Sequence, residues 1–247
     1  MILTLMFLGG CASVSDEQRG PTLYLVGDST MAEQPEEKHP EWGWGQALPP
    51  LLEEGIALEN HARNGRSTKS FVDEGRWATV RDRLQPGDFV VIGFGHNDQK
   101  SEDPNRYAEA QTDYRDYLNR FIDEATERGA EVILVTSIVR RRFDDEGQPV
   151  ATLGDYPDAV RAVAAERAVA LVDLNAFTRQ LLVEAGPEMS RHIYMHAHPG
   201  QYDNLPPEGK QDDTHLQVRG AEVVAKLFVA EVQNQDLPLA RWLKQLY

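Results

Sequence analysis

The sequence predicts an α/β fold in which a parallel β-sheet lies between two layers of helices. Short runs of β-branched and aliphatic residues recur along the chain, and amphipathic helical patterns lie between them. Two of these runs, 88–94 and 131–138, are almost continuously apolar, as expected for strands that are buried on both faces. Because strands and helices alternate, right-handed crossover connections and a parallel sheet are expected.

Five segments are predicted to be strands: Thr22–Gly27, Ile56–Asn60, Asp88–Phe94, Glu131–Ile138 and Val169–Leu174. In the doubly wound, flavodoxin-like order 2-1-3-4-5, the second and third strands flank the first. The carboxyl ends of these three neighbouring strands would then meet at one edge of a five-stranded sheet. Ligands of open α/β sheets bind at this edge, so the loops that follow these strands are the first place to look for a site.

Helical patterns are predicted for Trp42–Glu54, for Thr68–Leu84 as two short helices, and for Arg106–Arg128, Tyr156–Arg167 and Gln217–Val232. Gly55 and Gly129 follow two of these patterns and are typical helix stops. The stretch Met189–Thr214 is rich in His, Pro, Gly and Asp and is predicted to be a long irregular loop. Loops of this length in a compact domain are usually functional.

Length and composition indicate one folded domain over residues 21–247, preceded by a leader over residues 1–20. At ~150 residues per domain the 247 residues correspond to about 1.6 domains, and three-layer α/β domains often have this size. The 25 Lys and Arg against 40 Asp and Glu give a net charge of −15. This charge excludes a sequence-independent nucleic-acid binder, which needs a basic surface.

Residues 1–14 are the most apolar part of the chain and are followed by a polar run. The apolar run is too short to span a bilayer and fits the central region of a signal peptide, although residues 1–10 contain no Lys or Arg. Leu8-Gly9-Gly10-Cys11 resembles a bacterial lipobox, in which the cysteine carries the lipid. We therefore expect export to the bacterial periplasm or a lipid anchor on Cys11 at the cell surface. The alternative is an apolar tail with an inert thiol.

A candidate nucleophile follows the first strand, in the segment Gly27-Asp28-Ser29-Thr30. A serine on a tight turn at the carboxyl end of a strand has a free hydroxyl. The hydroxyl of Ser29 is a weak nucleophile near neutral pH, so it needs an adjacent base. Alone, the segment is also typical of a loop with an N-capping serine.

His215 is the candidate base, because its side chain titrates near neutral pH. A carboxylate three residues earlier, Asp212, can bind one imidazole nitrogen and leave the other free for a hydroxyl. Asp213 is an alternative for this role. We prefer Asp212, because one intervening turn brings side chains at i and i+3 together. The segment could also simply cap the helix that follows.

Candidate hydrogen-bond donors follow the second and third strands. Gly65 lies in Asn64-Gly65-Arg66-Ser67, and Asn97 lies in Gly95-His96-Asn97-Asp98. Ester hydrolysis builds negative charge on the former carbonyl oxygen, and fixed donors at that point stabilise it. In the predicted strand order, these two segments lie on either side of Ser29.

Taken in order, these four blocks resemble the SGNH (GDSL-type) hydrolases, and most of all their rhamnogalacturonan acetylesterase branch. The resemblance includes Asn60-His61-Ala62, Phe94-Gly95-His96-Asn97-Asp98 and the stretch 199–216, and it spans about residues 22–232. It implies a three-layer α/β/α domain with a five-stranded parallel sheet. It also implies that Ser29 is the nucleophile, that His215 is the base oriented by Asp212, and that Ser29, Gly65 and Asn97 form the oxyanion hole.

The resemblance implies no cofactor, and it implies an acetylated polysaccharide, with rhamnogalacturonan first, as the substrate. Alternatives are another ester (acetyl-xylan, a lysophospholipid or a thioester), and a surface lipoprotein that binds sugars without catalysis. A metallohydrolase is a further alternative, because His192, His196 and His198 have spacings typical of metal ligands. It is less favoured because no metalloprotease-type signature accompanies them.

Substrate contacts are predicted for Arg66, His96, Arg140, His198 and Tyr202. Arg140 opens the run Arg140-Arg141-Arg142, and arginine binds carboxylates such as those of uronic acids in a bidentate manner. The alternative for this run is a solvated charge cluster. Trp42, Trp44, Trp77 and Tyr202 could stack on sugar rings, with Trp42 and Trp44 preferred, although burial in the core is the usual fate of such side chains.

Overall fold

The structure, a computed structural model, describes residues 19–246. Its strands are β1 (Thr22–Gly27), β2 (Glu41–Trp42), β3 (Ala57–Asn60), β4 (Phe89–Gly93), β5 (Glu131–Val135), β6 (Ala170–Val172), β7 (Tyr194–Ala197) and β8 (Lys210–Gln217). Its helices are α1 (Thr68–Asp73), α2 (Arg76–Arg81), α3 (Asp113–Glu127), α4 (Tyr156–Arg167), α5 (Leu174–Met189) and α6 (Val218–Asn234). The five predicted strands are present as β1, β3, β4, β5 and β6.

These five strands form one parallel sheet in the order β3-β1-β4-β5-β6, which is the predicted order. Side chains of β1 alternate between two cores, because successive residues of a strand point to opposite faces. Leu23 and Leu25 lie in the core under α5 and α6, whereas Tyr24 and Val26 lie in the core under α1 to α4. The three-layer α/β/α architecture is therefore confirmed. No helix within residues 19–246 has the length and apolar character needed to cross a membrane.

A second, antiparallel sheet of order β2-β8-β7 was not predicted. The stretch Met189–Thr214, predicted to be irregular, contains β7 and more than half of β8, and only the segment 198–209 between them is a loop. Strand β8 is mostly polar and partly exposed, so it lacks the apolar pattern by which the central strands could be recognised. It continues directly into α6, which is buried along one side.

The predicted helix over Trp42–Glu54 is wrong. This region contains the last residue of β2 and two short 3₁₀ turns, Trp44–Ala47 and Pro49–Leu51. Gly43 lies so close to the turn after β1 that a Cβ atom would be 2.1 Å from the carbonyl oxygen of Ala32. The two prolines that open the second turn also lack the N–H groups that a helix interior requires.

Helix α5 was not predicted, although its start carries a recognisable signal. The Asp173 carboxylate accepts a hydrogen bond from the backbone N–H of Ala176, as an N-cap residue does. The helix bends at Gly186, whose φ is +64°. Helix α3 begins at Asp113 rather than at the predicted Arg106, because turns occupy the intervening residues.

Asp98 ties the loop after β4 to the start of α1. Its Oδ1 accepts hydrogen bonds from the backbone N–H and the hydroxyl of Thr68, at 2.8 and 2.6 Å. Burial, with a smaller contribution from the nearby Asp28 charge, raises the pKa of Asp98 to about 7, against the lowering effect of the two Thr68 bonds. The folded protein therefore holds a proton on this carboxyl group at pH values where the unfolded chain has released it.

We expect the Asp98→Asn variant to lose this pH dependence of stability. The wild-type free energy of unfolding falls as pH rises from about 4 to about 7, because the unfolded state binds fewer protons there. An amide is neutral throughout, and its oxygen can still accept from Thr68. Relative to wild type, the variant should gain between about 1 and 4 kcal/mol on going from pH 4 to pH 8, at about 1.4 kcal/mol per pKa unit.

Urea unfolding at pH 4, 6 and 8 measures this difference. Asp145→Asn is the control, because Asp145 is an exposed loop residue whose replacement should leave the pH dependence unchanged. Parallel stability curves for wild type and Asp98→Asn across the three pH values would contradict the prediction.

Candidate active site

Ser29 lies on a tight turn directly after β1, at the carboxyl edge of the parallel sheet. The buried Asp28 carboxylate holds the turn by accepting from the backbone N–H and the hydroxyl of Thr30, at 2.9 and 2.8 Å. The residue before this turn must be small, because a Cβ atom on Gly27 would lie 2.6 Å from the carbonyl oxygen of Gly93 on β4. Ser29 itself is partly exposed.

His215 lies between Ser29 and Asp212, with each ring nitrogen facing one of them. Its Nε2 is 2.9 Å from Oγ of Ser29, and its Nδ1 is 2.7 Å from Oδ2 of Asp212. The other carboxylate oxygen of Asp212 accepts from the backbone N–H groups of Thr214 and His215, at 2.8 and 3.0 Å. Nδ1 therefore donates to the carboxylate, which leaves Nε2 to accept the proton of the serine hydroxyl.

A β-bulge in β8 makes this geometry possible. In a regular strand, residues at i and i+3 point to opposite faces. Between β7 and β8 the register shifts, so that Tyr194 pairs with Leu216 whereas Met195 pairs with Asp212. The residues between Asp212 and Leu216 bulge out of the ladder, and the side chain of His215 turns back onto Asp212. The side chains of Asp212 and His215 therefore meet, as predicted, but they meet through a bulged strand rather than through a free turn.

The two groups shift each other's pKa in opposite directions. Burial alone would lower the pKa of His215, but the hydrogen bond and the charge of Asp212 raise it above its usual value. Burial alone would raise the pKa of Asp212, but its bonds from His215 and the backbone lower it well below its usual range. Asp212 is therefore ionised across the whole range in which His215 titrates, as an orienting carboxylate must be.

Asp213, the alternative acid, faces away from His215. Its Oδ1 lies 2.9 Å from Nη1 of Arg141 and 2.7 Å from Nε2 of His196, and its carbonyl accepts from the Arg141 backbone. His196 is thus committed to an exposed carboxylate. Among residues 19–246, the histidines His192, His196 and His198 do not form a group of three with ligand atoms within 4.8 Å of one another.

The segments that follow β3 and β4 are joined to each other and to the serine turn by side-chain amides. Asn97 is buried, and its Nδ2 donates to the carbonyl of Arg66 at 3.0 Å, which leaves its second amide hydrogen free. Gly65 has a φ of +77°, a conformation that favours glycine. Because β3 and β4 are the neighbours of β1, the Gly65 and Asn97 segments lie on either side of Ser29.

Gln34 links the serine turn to the segment that follows β3, and no local pattern predicts this link. Its Nε2 donates to the carbonyl of Ser29 at 3.0 Å and to Oδ1 of Asn64 at 2.9 Å, while its Oε1 accepts from Nδ2 of Asn64 at 2.8 Å. Gln34 is 6% exposed. The sequence around Gln34 does not show whether its amide is buried and bridges two loops or lies in an exposed loop.

Two of the five predicted substrate contacts, His96 and Arg140, pack against other parts of the protein. His96 is 3% exposed, so the prediction that it touches a polysaccharide is wrong. Burial, together with the charge of Arg140, lowers the pKa of His96 well below its usual value. Arg140 is partly buried, and its guanidinium donates to the carbonyls of Thr152 and His96 at 3.1 and 3.4 Å. It supports the loop that carries Asn97.

The other three lie at the surface. Arg66 is partly exposed and pairs with Glu74 at 3.0 Å. His198 is exposed in the loop between β7 and β8, and Tyr202 of the same loop meets the ring of His39 edge-on, with centroids 5.8 Å apart. The loop between β7 and β8 and the loop that carries His39, before β2, are in contact, because Nδ2 of Asn204 also donates to the carbonyl of His39. Together they form one surface beside β8.

The tryptophans divide between core and surface. Trp44 and Trp77 are 2% and 1% exposed. The preference for Trp44 as a sugar contact is therefore wrong, whereas Trp77 lies in the core, as is usual for such side chains. Nε1 of Trp77 donates to Glu124, far along α3. Trp42 is partly exposed and pairs with Leu216, next to His215, so it stays a candidate.

Glu41 and Lys210 complete the charge cluster, and sequence reasoning assigned neither of them a role. Glu41, Asp212 and His215 each offer one ligand atom within 4.8 Å of the others, which in residues 19–246 is the arrangement nearest to a metal site. The Nζ of Lys210 lies 2.5 Å from Oε2 of Glu41 and 3.9 Å from Oδ2 of Asp212. The lysine ammonium thus already supplies a cation between the two carboxylates.

Cys11, the predicted lipidation site, lies outside the described residues, as does most of the predicted leader 1–20. The predicted domain 21–247 contains every group of the site.

Comparison with known proteins agrees with this geometry. The chain is 41% identical to a rhamnogalacturonan acetylesterase of Bacillus subtilis, over 88% of this chain and 91% of that protein. It is 35% identical to a probable rhamnogalacturonan acetylesterase of the same organism, over 88% of this chain and 94% of that protein.

Two solved structures have the same fold. The Bacillus subtilis YxiM protein superposes with a TM-score of 0.75 at 26% identity, over 89% of this chain and 58% of that one. An acetylxylan esterase of Geobacillus stearothermophilus superposes with a TM-score of 0.60 at 19% identity, over 86% of this chain and 94% of that one. The profile of the GDSL-like Lipase/Acylhydrolase family matches residues 25–223. The chain therefore belongs to the GDSL-like lipase/acylhydrolase family.

Proposed function

We propose that the protein is a serine esterase that removes O-acetyl groups from rhamnogalacturonan. The observation that carries the proposal is the continuous line of hydrogen bonds from Ser29 through His215 to Asp212, with distances of 2.9 and 2.7 Å. A hydroxyl that is hydrogen-bonded to an oriented imidazole is the arrangement that activates serine for attack on an ester carbonyl.

In the first half of the reaction, Oγ of Ser29 attacks the acetyl carbonyl carbon while Nε2 of His215 takes the hydroxyl proton. The Asp212 carboxylate stabilises the imidazolium that forms. Negative charge develops on the former carbonyl oxygen, and the backbone N–H groups of Ser29 and Gly65 and the free amide hydrogen of Asn97 are the donors that receive it. Such donors are worth about 3–4 kcal/mol each in comparable sites.

The tetrahedral intermediate then collapses. The bond between the acetyl carbon and the sugar oxygen breaks, and His215 gives its proton to that oxygen, which leaves as a sugar hydroxyl. The acetyl group is now an ester of Ser29. A water molecule attacks it while His215 again takes a proton, and acetate departs as the serine hydroxyl is restored.

The relatives support an acetylated pectic polysaccharide as the substrate, because two that align over most of their length carry the name rhamnogalacturonan acetylesterase. A galacturonate-containing chain is a polyanion, and this protein has a net charge of −15, so long-range electrostatics oppose binding. Local cations must therefore offset the repulsion. Arg66, which pairs with Glu74, is the cationic candidate for such a contact, and the exposed His198 and the partly exposed Tyr202 supply further polar surface groups.

Replacing Ser29 by Ala should reduce hydrolysis of 4-nitrophenyl acetate by at least about a thousandfold, because the nucleophile is lost while the oxyanion donors remain. An unimpaired Ser29→Ala variant would refute the serine mechanism.

The wild-type protein should release acetate from acetylated rhamnogalacturonan faster than from acetyl-xylan at equal acetyl concentration. A preference for acetyl-xylan, or pectin binding without acetate release, would refute the proposed substrate or activity.

Asp212→Asn and Asp213→Asn form a matched pair that tests which carboxylate orients His215. The first should lower kcat by about three to four orders of magnitude, because an amide can stabilise the wrong imidazole tautomer. The second should change kcat by less than about fivefold, because Asp213 contacts Arg141 and His196 instead. Steady-state kinetics on 4-nitrophenyl acetate separate the two. Equal losses, or a larger loss in Asp213→Asn, would contradict the assignment.

We further propose that the protein is exported and carries a lipid on Cys11. The apolar segment 1–14 and its lipobox-like end support this. In a bacterial host fed a labelled fatty acid, the full chain should incorporate the label and Cys11→Ser should not. Label in the variant, or none in the full chain, would contradict the lipid anchor.

A further inference from the structure

A buried carboxylate lies next to the hydrogen-bonded residues Ser29, His215 and Asp212. Glu41 is 2% exposed and lies on β2, where it pairs with Gln217 of β8. Two lysines meet it. The Nζ of Lys210 is 2.5 Å from one carboxylate oxygen, and the Nζ of Lys38 is 3.3 Å from the other. A fully buried carboxylate requires such partners, because an isolated charge in the interior is strongly disfavoured.

Lys210 also reaches the site itself. It lies two residues before Asp212 on β8, so both side chains point to the same face of the strand. Its Nζ is 3.9 Å from Oδ2 of Asp212, which is the oxygen that faces Nδ1 of His215. The order across the site is therefore Glu41, Lys210, Asp212, His215 and Ser29.

The lysine separates two carboxylates that would otherwise oppose each other. Ligand atoms of Glu41 and Asp212 lie within 4.8 Å of each other and of His215. Like charges at this distance favour protonation of one partner. A protonated Asp212 could not accept the Nδ1–H bond as a charged group, and its carboxyl group would no longer fix the imidazole tautomer.

We propose that Glu41 and Lys210 form a positioning pair, in which the buried Glu41 holds the Lys210 ammonium against Asp212 and so keeps the Asp212 carboxylate turned towards His215. Neither residue touches the substrate or the reacting atoms; both act through Asp212. The proposal rests on the proposed function, because it assigns the pair a role in the activation of Ser29.

The charged and titratable groups around His215 determine how the pair affects its titration. They come from Asp212 and Lys210 on β8, Glu41 on β2, Lys38 in the turn before β2, Asp28 after β1, Arg140 after β5, and the buried His96 after β4. Within this set, the negative charge of Glu41 raises the pKa of His215. A positive charge at Lys210 must lower it, by the same physics with opposite sign.

Two single variants should therefore move the pH profile of kcat/KM in opposite directions. His215 must be neutral to act as a base, so activity rises with pH through its pKa. In Glu41→Gln a negative charge is lost, the pKa falls, and the acid limb should move to lower pH. In Lys210→Met a positive charge is lost, the pKa rises, and the acid limb should move to higher pH.

Both variants should also lose kcat, on the order of tenfold, which is the lower end of the loss typical when an outer hydrogen-bonding partner is removed from a site. KM should change little, because neither side chain contacts the substrate. Lys210→Arg keeps the charge and should restore the wild-type acid limb. A role limited to folding would lower the yield of active protein without moving the limb.

Asp88→Asn is the matched control. Asp88 is a buried carboxylate, 1% exposed, that pairs with Arg19 at 2.7 Å just before β4, at the opposite edge of the sheet. Its replacement should cost stability as Glu41→Gln does, yet leave the acid limb in place. Urea unfolding and pH profiles on the same preparations compare the two.

Opposite displacements in Glu41→Gln and Lys210→Met support the pair, and unmoved limbs or displacements in the same direction overturn it. Where Glu41→Gln does not fold, Lys210→Met and Lys210→Arg decide, because Lys210 is partly exposed. A wild-type limb in Lys210→Met overturns the proposal. An active Ser29→Ala variant would overturn the proposed function. An inactive Ser29→Ala variant, together with unmoved acid limbs in Glu41→Gln and Lys210→Met, would overturn the pair alone.

Discussion

The hydrogen bond between Ser29 and His215 is the constraint on which the site depends, because it joins residues 186 positions apart in the chain. One partner is placed by the parallel sheet, since the turn after β1 projects Ser29 from its carboxyl edge. The other is placed by the small antiparallel sheet, since the bulge in β8 turns His215 towards that edge. A bond of 2.9 Å tolerates little relative movement, so the two sheets must be held rigidly together. Gln34 and Asn97 apply the same constraint to the neighbouring loops.

Three aspartates hold the turns around the site in place, and each accepts hydrogen bonds from a different set of donors. Asp28 accepts from Thr30, Asp98 accepts from Thr68, and Asp212 accepts from His215 and two backbone N–H groups. The outcomes differ in sign. Burial dominates at Asp98 and raises its pKa, whereas hydrogen bonds and the His215 charge dominate at Asp212 and lower its pKa. A structural carboxyl group and an orienting carboxylate are thus distinguished by their donors rather than by residue type.

The central sheet could be predicted because its strands are buried on both faces and are therefore apolar, and the candidate site could be predicted because parallel strands bring their carboxyl ends to one edge. The antiparallel sheet could not, since β8 is polar and its pairing with β2 spans most of the chain. The apolar residues of the region 42–54 favour a helix, because the close backbone approach at Gly43 leaves no mark in the local sequence. The ion pair of Glu41 with Lys210 joins residues 169 positions apart, and no local pattern marks such a contact.

Strand β8 has no loop between it and α6: Gln217 ends one and Val218 begins the other. The Gln217 amide also fastens the junction, since its two Nε2 hydrogens are shared among the carbonyls of Arg191, Tyr194 and His196, at 3.0, 2.8 and 2.8 Å. His215 therefore lies on the stretch of backbone that continues into α6, whose core-facing side chains are fully buried. We therefore expect this part of the site, on heating, to open together with the interior of the domain rather than on its own. Loss of catalytic competence and loss of the native core become a single cooperative event.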